Sequence, residues 1–254
     1  MKRGTWRPAS DADTAVADTA VAAVADTVPR PLLPPPFRRA AAGLAVACAA
    51  VVLALGLRYH GQPHGGWLDA MLDPRIQGAL GPFHRTLRFL ADAGTLVPAA
   101  LMVAALVAAC LAARRWTGAV LAAVAEPAAI VLTEYLLKPL VGRTNSGSLT
   151  FPSGHATAMF ALAVTVAVLL ANPPRGRWPA GARVLTVLAA LLGATAVALA
   201  MVALNAHYVT DAIGGAAVGT GMALACALIL DRLTRRRLAP HRLAGRRLTP
   251  RRLA

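Results

Sequence analysis

Two histidines, a lysine, an arginine and an aspartate stand at the ends of long apolar runs between Lys138 and Asp211. His207 and Asp211 are four residues apart, so helical geometry puts both on one face. A carboxylate there accepts a hydrogen bond from one imidazole nitrogen, fixes the tautomer and leaves the other nitrogen free to act as nucleophile or base. Asp211 also reads, more plainly, as a helix-capping acid favoured by the dipole. Pro152-Ser153-Gly154-His155 opens another apolar run. Its glycine lets backbone approach a ligand, and the free N–H groups of a helix start, at Ser153 and Gly154, form an anion site. His155 then stands where it gives a proton to a departing oxygen. Lys138 and Arg143 end the preceding run on the same side and supply positive charge for an oxyanion. Taken separately they read as headgroup anchors. Together with the histidines and the glycine turn, they point to phosphate chemistry.

The elements that must position these groups are membrane helices. With 57% apolar and 15% charged residues, the 254-residue chain is not an ordinary soluble globule. Ala40–Leu57, Ala93–Ala113, Val184–Ala206 and Ala212–Leu230 carry no charge, and about 20 such residues span a bilayer. Trp116–Leu137, interrupted by Glu126-Pro127 and Glu134, and the shorter Ala156–Ala171 bring the expected number to six. The net charge of +15 raises nucleic acid as a partner, but its distribution argues otherwise. With the amino terminus inside, 20 of the 26 Lys and Arg residues fall in cytoplasmic segments, as the positive-inside rule requires. Both termini are therefore expected in the cytoplasm, and the site on the extracytoplasmic face of a cell membrane.

The fold class expected is all-α: a polytopic six-helix bundle over residues 40–232 with disordered cytoplasmic tails. The tail at 1–39 is of low complexity and proline-rich, and cannot bury enough apolar surface to order itself. The arginine-rich tail at 233–254 directly follows the last span, where anionic headgroups are its expected partner. The first apolar run is read as a retained helix and not a signal segment. Residues 58–88 read as an external helix lying in the interface, because Asp69, Asp73 and Arg75 break its apolar run. His60, His64 and His84 in that region lack metal-ligand spacing. Cys48, Cys110 and Cys226 read as buried free thiols. Glu126 is equally a functional intramembrane acid and a hydrogen-bonded group at a proline kink. Gly215-x3-Gly219 permits close helix packing within one chain or between two, so the oligomeric state stays open.

Lys138, the Pro152–His155 tetrapeptide and the His207-x3-Asp211 pair resemble, in order and spacing, the signature motifs of the type 2 phosphatidic acid phosphatase family, which is related to vanadium haloperoxidases. The resemblance covers roughly Trp116 to Arg232. It implies a metal-independent, cofactor-free phosphatase acting on a membrane lipid phosphate. In that scheme His207 forms a phosphohistidine, Asp211 stabilises it and His155 serves as acid and then base. Lys138, Arg143 and the Ser153 and Gly154 amides hold the phosphoryl oxygens. Two departures stand out: Asn145-Ser146 lies where the family has Arg-Pro, and Ala200-Met201 where it has Ser-Arg. A slow or silent relative that binds or translocates a lipid phosphate is therefore the alternative. A transporter built on Glu126, Glu134 and His155 lacks inverted repeats. Phosphatidate-type lipids and polyprenyl phosphates or diphosphates remain open as substrates, with polyprenyl carriers favoured by the outward-facing site.

Overall fold

The structure, a computed structural model, describes residues 31–172 and 178–246, of which 237–246 by backbone alone. Nearly every apolar run becomes a helix, since a segment in lipid must satisfy its own backbone groups. In chain order these are α1 (Phe37–Arg58), α2 (Trp67–Leu80), a short 3₁₀ turn, α3 (His84–Ala93), α4 (Leu96–Ala112) and α5 (Trp116–Val131). A π-helical turn over Leu132–Leu137 leads into α6 (Lys138–Val141). A two-stranded antiparallel hairpin, β1 (Thr144–Asn145) and β2 (Ser148–Leu149), precedes α7 (Gly154–Ala171), α8 (Ala180–Ala203) and α9 (Val209–Arg246). Among the described residues, five helices can cross a membrane by length and composition, or six if α2 and α3 with α4, bent by 57°, make one broken span. Leu53, Leu185 and Leu192 are more than half exposed on the outside of the bundle, as lipid-facing positions are.

Both boundaries of the helical region move outward from the sequence expectation. Leu32 and Leu33, assigned to the disordered tail, are buried in the core. Their amides donate to the Asp231 carboxylate at 2.7 and 3.1 Å, fastening this segment to α9. Residues 1–30 lie outside the described residues. At the other end the arginine-rich segment continues α9 as helix through Pro240 to Arg246; its Arg, Leu and Ala residues are good helix formers. Arg115 is more than a topology signal: it donates to the Leu169 and Asn172 carbonyls and so caps α7.

The centre of the bundle is the α7–α9 contact, made close by small residues. A Cβ on Gly215 would come within 2.3 Å of the Ser153 carbonyl oxygen, and one on Gly219 within 2.3 Å of the Thr157 oxygen. The Gly215-x3-Gly219 pair thus serves a contact inside the chain. It holds the starts of α7 and α9, where the chemistry-bearing residues sit, against one another.

Candidate active site

The His207 loop is shaped by the end of α8. Asn205 adopts a left-handed conformation (φ 58°); Asn205 N–H donates to the Val202 oxygen at 2.9 Å and Ala206 N–H to the Met201 oxygen at 3.0 Å. This is a Schellman arrangement, and it turns the chain so that α9 starts two residues after His207. Met201, at the expected arginine position, is buried and contributes its carbonyl to this turn. Asn145, at the other, donates to the Asn205 carbonyl at 3.0 Å and ties the hairpin to the loop.

The first amides of α9 are taken by three carboxylates. Tyr208 N–H donates to Asp211 at 3.1 Å, Val209 N–H to Asp73 at 3.1 Å and Thr210 N–H to Asp69 at 2.9 Å. Asp211 therefore caps its own helix. His207 Nδ1 lies 3.7 Å from Asp211 Oδ2, beyond hydrogen-bond distance, and has no partner. The expected pair is adjacent without being bonded, because Asp211 already serves Tyr208 and Arg143.

Arg143 lies at the centre of this cluster. It is fully buried and donates to Asp211, Asp69 and Thr210, each at 2.6 Å. Its guanidinium is stacked between the Tyr59 and Tyr208 rings, at 4.1 and 4.3 Å from their centroids. Burial pushes the Tyr208 phenol up from its ordinary value, so the ring stays neutral. Arg143 was expected to hold phosphoryl oxygens. Two carboxylates balance its charge instead, and its surface is closed to a ligand.

The start of α7 is more open. Ser153 caps the helix through its hydroxyl, which accepts from Ala156 N–H at 3.5 Å, while its own amide donates to the Asp211 carbonyl at 3.0 Å. That amide is thus not available to a phosphate. Gly154 N–H is left at the helix start, where the dipole favours an anion. His155 follows, within electrostatic reach of His207, Lys138, Glu134 and Asp92. Gly94 makes room for it at the α3–α4 bend, where a Cβ would come within 2.8 Å of the imidazole. Lys138 arrives through the π-helical turn. Pro139 cannot donate to the carbonyl four residues back and its ring crowds that turn, and Lys138 N–H reaches the Thr133 oxygen instead. Lys138 Nζ pairs with Glu134 at 2.8 Å. Lys138, His155 and His207 thus share one end of the bundle.

Residues 118–235, from α5 into α9, match the family model described as the PAP2 superfamily. This segment is similar to the PAP2 superfamily. No curated protein and no solved structure matches the chain. The matched segment contains Lys138, Arg143, Ser153, Gly154, His155, His207 and Asp211. It leaves out α1 to α4, although Tyr59, directly after α1, and Asp69 on α2 contact Arg143, and Asp73 on α2 takes the Val209 amide. Sequence reasoning passed over Asp69 and Asp73 as mere breaks in an apolar run. Their i,i+4 spacing on one helix face was the available signal.

Away from the site, Glu126 is buried within α5. His84 accepts from Arg88 at 2.8 Å. An apolar cavity of about 520 Å³ runs between α1, α6 and α9, lined by Leu53, Leu57, His60, Leu137, Leu140 and Met222.

Proposed function

We propose that this chain is an integral membrane lipid-phosphate phosphatase working through a phosphohistidine. The observation that carries the reading is the convergence of His207, His155 and Lys138 at one end of the PAP2-matching segment, outside the enclosed Arg143 cluster. His207 attacks phosphorus through Nε2, forming the N–P bond as the bond to the leaving oxygen breaks. His155 delivers the proton that this oxygen needs. In the second half His155 takes a proton from water, the resulting hydroxide attacks phosphorus, and the N–P bond breaks. Asp211, beside Nδ1, stabilises the positive imidazole. Lys138 and the Gly154 amide hold the phosphoryl oxygens. No step calls for a metal or cofactor.

The substrate is a lipid whose head reaches Lys138 while its tail lies in hydrocarbon. Leu137 and Leu140, which flank Lys138 in the chain, line the apolar cavity, a place for such a tail. In this reading the site faces away from the cytoplasm, the side favoured by the arginine distribution, and polyprenyl phosphates or diphosphates are preferred over phosphatidate-type lipids for that reason. His207→Ala is expected to abolish phosphate release from lipid phosphates and to prevent trapping of a phosphoenzyme. Full turnover in that variant sinks the assignment.

A second reading is favoured by the state of Arg143. With that cation enclosed and Asn145 and Met201 in place of arginines, Lys138 is the cation left facing the site among the described residues, and the chain is then a binding or translocating relative. Phosphate release from a panel of lipid phosphates by purified protein in detergent, with chelator present, separates the two.

A further inference from the structure

The π-helical turn does one thing that this mechanism does not use. It brings Glu134 into the space that Lys138 faces. Glu134 Oε2 lies 2.8 Å from Lys138 Nζ, and Oε1 lies so close to Gly154 that a Cβ there would come within 2.4 Å of it. One carboxylate thus touches both the lysine and the first residue of α7, the two features assigned to phosphoryl oxygens. At 37% side-chain exposure Glu134 is not an enclosed structural partner like Asp69 or Asp211.

The charges around this space favour a weakly charged phosphate. Lys138 and Glu134 come from the helix end, Asp92 from α3, His155 from α7 and His207 from the loop before α9. Arg143 is already matched by Asp69 and Asp211. Lys138 is the lysine among these groups, paired with the Glu134 carboxylate at 2.8 Å, and Asp92 adds a second carboxylate within electrostatic reach. The Glu134 carboxylate repels a phosphate dianion more than a singly protonated phosphate. Its P–O–H also finds in Glu134 an acceptor that a dianion cannot use.

We propose that Glu134 is a specificity-determining residue that admits the phosphate group in its singly charged form, through a hydrogen bond from P–O–H to the Glu134 carboxylate. This rests on the phosphatase reading of the site and names the ionic form that the site accepts.

Inorganic phosphate, titrated calorimetrically into the detergent-purified full chain at about pH 5.5 and about pH 8, on either side of the second phosphate ionisation, tests it. Wild type is expected to bind at least about tenfold more tightly at the lower pH. Glu134→Gln is expected to gain about tenfold at the higher pH and to lose most of the pH dependence. Glu134→Ala should change in the same direction, which guards against a local effect of the new amide. Binding by Glu134→Gln that is no tighter than wild type overturns the proposal. So does a pH dependence that persists undiminished, since it then belongs to His155 and His207. Lipid-phosphate release by wild type is measured alongside: release with unaltered Glu134→Gln binding removes only the role of Glu134, whereas neither release nor phosphate binding removes the phosphatase reading as well.

Discussion

Lys138 and Arg143 are cations five residues apart in one motif, yet they have opposite fates. Arg143 is fully buried, stacked between two tyrosines and bonded to two carboxylates and a hydroxyl. Lys138 keeps 15% of its side chain exposed and has one half-open partner, Glu134. The planar guanidinium suits an enclosed site with several fixed acceptors, and the flexible ammonium suits a site that must release its partner. Sequence position alone does not make a cation available to a ligand; the acids brought to it by distant helices decide.

The largest expected effect tests the closed half of the comparison. Arg143→Ala leaves Asp69 and Asp211 buried without a counter-charge, and a loss of about 3–5 kcal/mol is expected, read as a lower thermal midpoint in detergent. Arg143→Lys should restore little of it, since one ammonium cannot reproduce the fork or the stacking; near wild-type stability there would recast Arg143 as a dispensable cation. Next comes the packing that holds the two halves together. Gly215→Val forces α9 away from the Ser153 carbonyl and should cost about 1–3 kcal/mol or more, with activity falling as the starts of α7 and α9 separate. The smallest effect on stability is expected at the open half. Lys138→Met should change unfolding by no more than about 1 kcal/mol, because a half-open ion pair is screened. Turnover of a lipid phosphate should nevertheless drop by about one to two orders of magnitude, the loss of one charge-assisted contact. A Lys138 variant that unfolds as readily as Arg143→Ala would erase the distinction.

The helical architecture was largely legible, because hydrophobic runs of span length admit little else. Lys138, His155 and His207 were legible too, as polar groups at the ends of such runs. The π-helical turn was not, although Pro139 after Lys138 was its visible cause. Leu32 and Leu33 were taken for tail because a proline cluster surrounds them; their anchor, Asp231, is 199 and 198 residues away along the chain. Gly215-x3-Gly219 showed that a close contact was built in, without showing against what.

By itself the sequence determined that the chain is built of helices long and apolar enough to cross a membrane, and that two histidines and a lysine stand at the ends of such runs. These follow from local composition and short-range spacing, which need no knowledge of distant partners. Only the tertiary structure decided which charges remain free. Asp69 meets Arg143 across 74 residues and Thr210 across 141, and whether a charge faces a ligand or a partner depends on what surrounds it after folding. For that reason Arg143 is enclosed while Lys138, with Glu134 beside it, still faces the site.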